Sequence, residues 1–173
     1  MDKNNRIFDI FLRYFIIILI ALPNLYLFYL IFTPLTIYPI YWISMLFYNV
    51  SLNGNILVMG IYTVELIGAC IAGSAYYLLA ILNISIPNIK LKKRIFMIFS
   101  AFLVFLFFNI IRIFILIVMF YNDFIFFDIT HKIFWYSVST LLVLAIWIIE
   151  IKIFNIKDIP IYTDLKYLYK KIK

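Results

Sequence analysis

Cysteine occurs once in this chain and histidine once, and there are only four glycines and five prolines. The single cysteine, Cys70, excludes an intramolecular disulfide. With one cysteine, one histidine and scattered carboxylates there is no convincing coordination set, so neither a metal nor another cofactor is expected. Charge is scarce as well: 13% of the 173 residues are charged, against 67% hydrophobic and 21% aromatic. A soluble domain of this size has no core large enough to hide that much apolar surface. Acidic residues are the scarcer sign, giving a net charge of +7. The basic residues sit at the ends of apolar runs, which is a pattern of membrane topology, so no nucleic-acid partner is expected.

What the sequence does contain is four long apolar runs, over residues 7–32, 64–86, 95–121 and 133–154. Each is near or above the roughly 20 residues a helix needs to cross the hydrocarbon core. The expected fold is all-α: one polytopic membrane domain over residues 1–173, with about four transmembrane helices. The first run is too long for a cleaved signal peptide and lacks a small-residue cleavage site, so it reads as an uncleaved signal anchor. Lys3, Arg6 and Arg13 accompany that run, and Lys90, Lys92, Lys93 and Arg94 link the second run to the third. Lys152, Lys157, Lys166, Lys170, Lys171 and Lys173 follow the fourth, so thirteen of the fifteen basic residues fall on one side. The positive-inside rule then places both termini in the cytoplasm of a multi-pass cell-membrane protein.

The outer segment 33–63 contains IYPIYWISMLFYNVSLNGN, too apolar and aromatic for a free loop. It predicts a re-entrant or interfacial helix near residues 41–49, anchored by Tyr38, Tyr41 and Trp42. The tail, residues 155–173, predicts a short basic amphipathic helix on the inner leaflet.

Within the third run, FNIIRIFILIV sets Asn109 and Arg112 among apolar residues. An arginine at the centre of a membrane helix costs roughly 2.5–3.5 kcal/mol, so a compensating role is expected. Arg112 is about 13 Å below the outer end of its span, and Cys70 about 9 Å below the outer end of the second. His131 stands at the outer mouth of the fourth. Topology alone therefore puts the only cysteine, the only histidine and the buried cation at similar depth, facing the extracytoplasmic side. A thiol attacks as thiolate, which a fixed cation stabilises, and a histidine can carry the proton from thiol to leaving amine. Arg112 can alternatively face a developing oxyanion, with Asn109, three residues earlier on the same helix face, assisting it or holding the guanidinium. Glu65 is a further candidate partner for Arg112 or else a solvated carboxylate near the outer end of its span; Asp128 reads first as an exposed loop carboxylate, with orienting His131 as the other reading. The small residues in GACIAGSA suit either close helix packing or room for a substrate segment beside Cys70.

The ordered set, Cys70 in GACIAGS, Asn109 and Arg112 in FNIIRIF, and His131 in DITHKIFW, resembles the exosortase/archaeosortase family, most of all its compact archaeal members. The resemblance covers about residues 64–154 and implies a membrane cysteine endopeptidase or transpeptidase. It implies a nucleophile at Cys70, a stabilising cation at Arg112 and a proton carrier at His131. The implied substrates are secreted proteins bearing a C-terminal recognition motif, hydrophobic helix and basic tail. They would be cleaved near the outer leaflet through a thioester and passed to water, an amine or a membrane lipid. Two other readings stand beside it. One is a non-catalytic transporter subunit or assembly factor whose Arg112 binds an anionic ligand. The other is an enzyme acting on lipid head groups without a thioester.

Overall fold

The four apolar runs fold mainly as helices, two of them interrupted. The computed structural model describes residues 3–22 and 24–172, so Pro23 in the first run and Lys173 in the basic tail lie outside the described residues. Run 7–32 is not one helix. Helix α1 (Lys3–Ala21) ends, and α2 (Tyr26–Met45) begins, across a turn where Asn24 and Leu25 take left-handed φ of 49° and 60°. Helix α2 then continues through Pro34 and Pro39. Each proline forfeits a backbone hydrogen bond. The helix persists because Phe28, Phe32, Thr36, Ile40 and Ser44, four apart, form one stripe buried against the bundle. Phe32 stacks on Tyr76 with ring centroids 3.5 Å apart, and Phe102 meets both rings edge-on.

After α2 comes an antiparallel meander of β1 (Val50–Asn53), β2 (Ile56–Met59) and β3 (Tyr62–Glu65). Asn53 pairs with Ile56 and Met59 with Tyr62, so each hairpin closes on two residues, Gly54-Asn55 and Gly60-Ile61. Both glycines sit at φ 61°, the left-handed conformation that such turns require and glycine adopts freely. The expectation of an all-α fold is thereby corrected to a mostly helical one with a small sheet. The helix expected near residues 41–49 is the end of α2 followed by β1. Burial alternates along β2, with Leu57 and Met59 inward, so the apolar character that suggested a membrane-surface helix instead supplies the sheet's buried face. Tyr62 Oη donates to Asp123 Oδ2 at 2.8 Å, tying β3 to the loop after α5. That hydrogen bond also pushes the Tyr62 phenol above its ordinary value of 10.0.

Run 64–86 starts as β3 and becomes two helices, α3 (Gly68–Ile71) and α4 (Gly73–Ile84). Helix α5 (Leu91–Tyr121) is unbroken over 31 residues. Helix α6 (Phe127–Ile133) runs through a π-helical turn, Phe134–Val138, into α7 (Ser139–Ile153), and α8 (Tyr162–Ile172) ends the chain. Helices α2 and α5 are each long and apolar enough to cross a membrane. Helix α5 spans about 46 Å at 1.5 Å per residue, against a hydrocarbon core of about 30 Å.

The two ends of the bundle differ in kind. At one end Arg13, 2% exposed, donates to Asp9 at 3.0 Å, to the Ser85 carbonyl at 3.0 Å and to Asp164 at 3.1 Å. Helices α1, α4 and α8 therefore meet there, joined by Asn88 Nδ2 donating to Asp158 and Lys93 Nζ donating to the Phe154 carbonyl. One turn inward, Glu150 accepts from Asn83 Nδ2 at 3.1 Å and from Ser100 Oγ at 2.9 Å, linking α7 to α4 and α5. The sheet, α3 and α6 occupy the other end.

Candidate active site

Cys70 sits in the single turn of α3, and the chain breaks two residues later. Ala72 adopts φ 59°, ψ 44°, ending α3 and opening α4. An alanine in the left-handed region costs roughly 1–2 kcal/mol, so the surroundings must hold it there. The break also strands the Cys70 carbonyl, which in a continuous helix would accept from the amide four residues on. Asn109 supplies the missing donor: its Nδ2 donates to Cys70 O at 2.9 Å, and the residue is 1% exposed. Asn109 is thus a backbone prop beneath the cysteine. Tyr29 holds the other side of the break. A Cβ on Gly73 would lie 2.8 Å from Tyr29 Cζ and one on Gly68 3.4 Å from Cε1, so both glycines serve close packing of α2. The small residues near Cys70 therefore divide their work. The two glycines seat Tyr29, and Ala69 faces open space.

That space is a cavity of about 260 Å³. Cys70, Arg112 and His131 all line it, with Glu65, Thr63 and Trp135 among the others. Three residues separated by 42 and then 19 positions in sequence, on α3, α5 and α6, thus converge on one space. The thiol is half-buried and free. His131 stacks against Phe127 at 5.6 Å and meets Trp135 edge-on at 6.0 Å, so aromatic neighbours one turn away on either side fix its ring. No hydrogen bond joins Cys70 to His131 among the described residues; they face each other across the cavity rather than as a closed pair.

Arg112 lies at the bottom of this arrangement and donates from Nη1 to Ser139 Oγ, while Ser139 Oγ donates to the Phe134 carbonyl at 3.0 Å. Its Nε is buried without a partner. The π-helical turn lies between His131, which lines the cavity, and Ser139, which bonds Arg112. Eight residues of regular helix would separate them by about 80° around the axis, and the extra residue of a π turn removes about 100°, leaving them on nearly one face. Ser139 was not singled out by sequence, because a spacing of eight is off-face for an α-helix and the π turn leaves no sequence mark.

Of the two candidate carboxylates, Glu65 and Asp128, neither pairs with its candidate partner among the described residues; both are exposed, as the solvated and loop readings expect. Glu65 accepts from Asn55 Nδ2 at 3.2 Å and makes no ion pair with Arg112. It lines the cavity as its one carboxylate. Asp128 lies outside that lining and makes no hydrogen bond to His131 among the described residues, because its side chain faces the loop after α5. No group of three His, Cys, Asp or Glu side chains among the described residues is placed to hold a metal.

Fold and site together define a mostly helical bundle, two of whose helices are long and apolar enough to cross a membrane, with a cysteine, a histidine and an arginine around one cavity. Compared with protein-family models, curated proteins and solved structures, the chain matches none.

Proposed function

We propose that this protein is an integral-membrane cysteine endopeptidase or transpeptidase, of the kind implied by its resemblance to the exosortase/archaeosortase family. The observation that carries the reading is the cavity shared by Cys70, Arg112 and His131. In this reading the interrupted pair α1–α2, then α3–α4, α5 and α6–α7 make four crossings. The basic end, where Arg13 meets Asp164, faces the cytoplasm, and the sheet and cavity face outward.

The chemistry follows from the donors present. His131 accepts the thiol proton, and Cys70 Sγ attacks the scissile carbonyl carbon. The oxyanion that forms is met by the uncommitted N–H groups of Arg112. On collapse the carbon–nitrogen bond breaks, the leaving amine takes the proton from His131, and a thioester remains on Cys70. Water, an amine or a lipid hydroxyl then displaces the thiol. The substrates are secreted proteins whose C-terminal hydrophobic helix and basic tail halt in the bilayer, with the scissile bond level with the cavity.

The test is processing of such a substrate by wild type, Cys70→Ala and Arg112→Lys, read as a mass shift. Inserted but inactive variants support the reading. Normal processing by Cys70→Ala would sink it and turn attention to Arg112 as a binding residue.

A further inference from the structure

A second cavity, of about 450 Å³, lies on the far side of Arg112. It shares Ala69, Arg112 and Trp135 with the first, so these three form the wall between the two spaces. Its character differs. Tyr29, Ser74, Ser139 and Thr140, from α2, α4 and α7, line it together with Arg112, Ser139 bonding the guanidinium, and no carboxylate is present. Among the described residues the hydroxyls of Tyr29, Ser74 and Thr140 have no hydrogen-bond partner. A guanidinium carries five N–H donors. Arg112 uses one, toward Ser139, and its Nε is buried and unpaired. The first turn of the twelve-residue α4, with its free backbone amides, borders the same space. A cation with unmet donors, ringed by hydroxyls from three directions, has the chemistry of a tetrahedral oxyanion site.

Depth identifies the source of that oxyanion. Helix α5 exceeds the hydrocarbon core by about 16 Å, or about 8 Å at each end if centred. Arg112, nine residues before the end of α5, then lies about 5 Å inside the hydrocarbon boundary, within the reach of its own side chain to the head-group layer.

We propose that this second cavity holds a phosphate oxyanion, the phosphodiester of a membrane lipid, gripped by Arg112 with the hydroxyls of Tyr29, Ser74 and Thr140, while Ser139 holds the guanidinium. The site goes beyond the peptidase reading and does not require Cys70 to react, so the two stand or fall separately.

The test is native mass spectrometry of the full chain released from detergent with added phosphatidylglycerol. The controls are a glucosyl diacylglycerol of the same acyl chains, which lacks phosphate, and inorganic phosphate as competitor. Wild type and Cys70→Ala retain phosphatidylglycerol over the glycolipid, and Ser74→Ala with Thr140→Val weakens retention roughly tenfold, the effect of lost hydrogen bonds to a charged group. Thr140→Ser, which keeps the hydroxyl, restores it. Melting temperatures confirm that each variant is folded; if the double variant is not, Thr140→Val alone is read, because that residue is exposed. Equal retention of both lipids, or unchanged retention in the folded variants, overturns the proposal. Displacement of the lipid by millimolar phosphate, with a phosphate adduct in its place, overturns the lipid as ligand and leaves an inorganic oxyanion site.

Discussion

Replacing Asn109 with leucine tests whether the helix break at the cysteine is held from outside. Leucine is close in volume but cannot donate, so the Cys70 carbonyl loses the hydrogen bond it receives at 2.9 Å. Leaving a buried carbonyl unpaired costs about 1–3 kcal/mol. The alternative open to the chain is to straighten. Ala72 would leave its left-handed conformation, recovering roughly 1–2 kcal/mol, and the carbonyl would regain its helical partner. The two terms have the same sign, so the mutant should favour a continuous helix through Gly68–Ile84. Straightening turns the thiol away from the cavity that it now shares with His131.

Because Cys70 is the only cysteine, its labelling by a water-soluble maleimide reports this change without ambiguity. A shift of 1–3 kcal/mol in the local equilibrium corresponds to roughly a 5- to 150-fold change in labelling rate. Asn109→Gln, whose longer amide still donates, should recover part of the wild-type rate. If Asn109→Leu labels at the wild-type rate and melts at the wild-type temperature, the carbonyl does not depend on Asn109 and the account of the break is wrong.

Arg112→Lys should abolish processing while the protein still inserts, since an ammonium cannot bond Ser139 and a reacting oxyanion in the fixed fork of a guanidinium; substrate mass shift checks this. Gly73→Ala should lower stability by about 1–3 kcal/mol, measured by thermal unfolding in detergent, because its Cβ would overlap the Tyr29 ring wedged against the break. Arg13→Ala should cost about 3–5 kcal/mol by the same measurement, since it leaves the 2%-exposed Asp164 without its cation. Removing both, as Arg13→Met with Asp164→Leu, should recover most of that loss.

Run 95–121 is legible in the sequence because nothing interrupts it, and α5 covers it whole. Cys70, Arg112 and His131 do line one cavity, but not by the route the sequence suggests: the count down run 64–86 takes it as one helix, whereas the run opens as β3 and breaks at Ala72. What stays hidden depends on tertiary partners. Pro34 and Pro39 read as breakers, yet the stripe from Phe28 to Ser44 is packed well enough to carry the helix past them. The break in α1–α2 comes instead at residues 22–25, where Pro23-Asn24 stands inside an apolar run long enough to be taken whole. Residues 50–65 hold two glycine-led turns and an alternating strand pattern, but the expectation for segment 33–63 goes no further than a helix near residues 41–49. Asn109 could be assigned to the right face from sequence, but not to its job. That job exists only because Ala72 breaks a helix on another element.

The energetics of Arg112 connect the two cavities. Its hydrogen bond to Ser139 contributes about 1.5–3 kcal/mol and engages one of five donors. Its Nε stays buried without a partner in the protein. An anion on either side of the wall supplies what is missing: a lipid phosphate from the hydroxyl-lined cavity, a reacting oxyanion from the cavity of Cys70. The arrangement predicts a pattern no single-site account gives. Arg112→Lys should weaken both lipid retention and processing. Cys70→Ala should abolish processing and leave lipid retention intact, while Thr140→Val should reduce retention first. If Arg112→Lys abolishes processing yet retains lipid as wild type does, the arginine serves the cysteine cavity alone and the phosphate site has lost its cation.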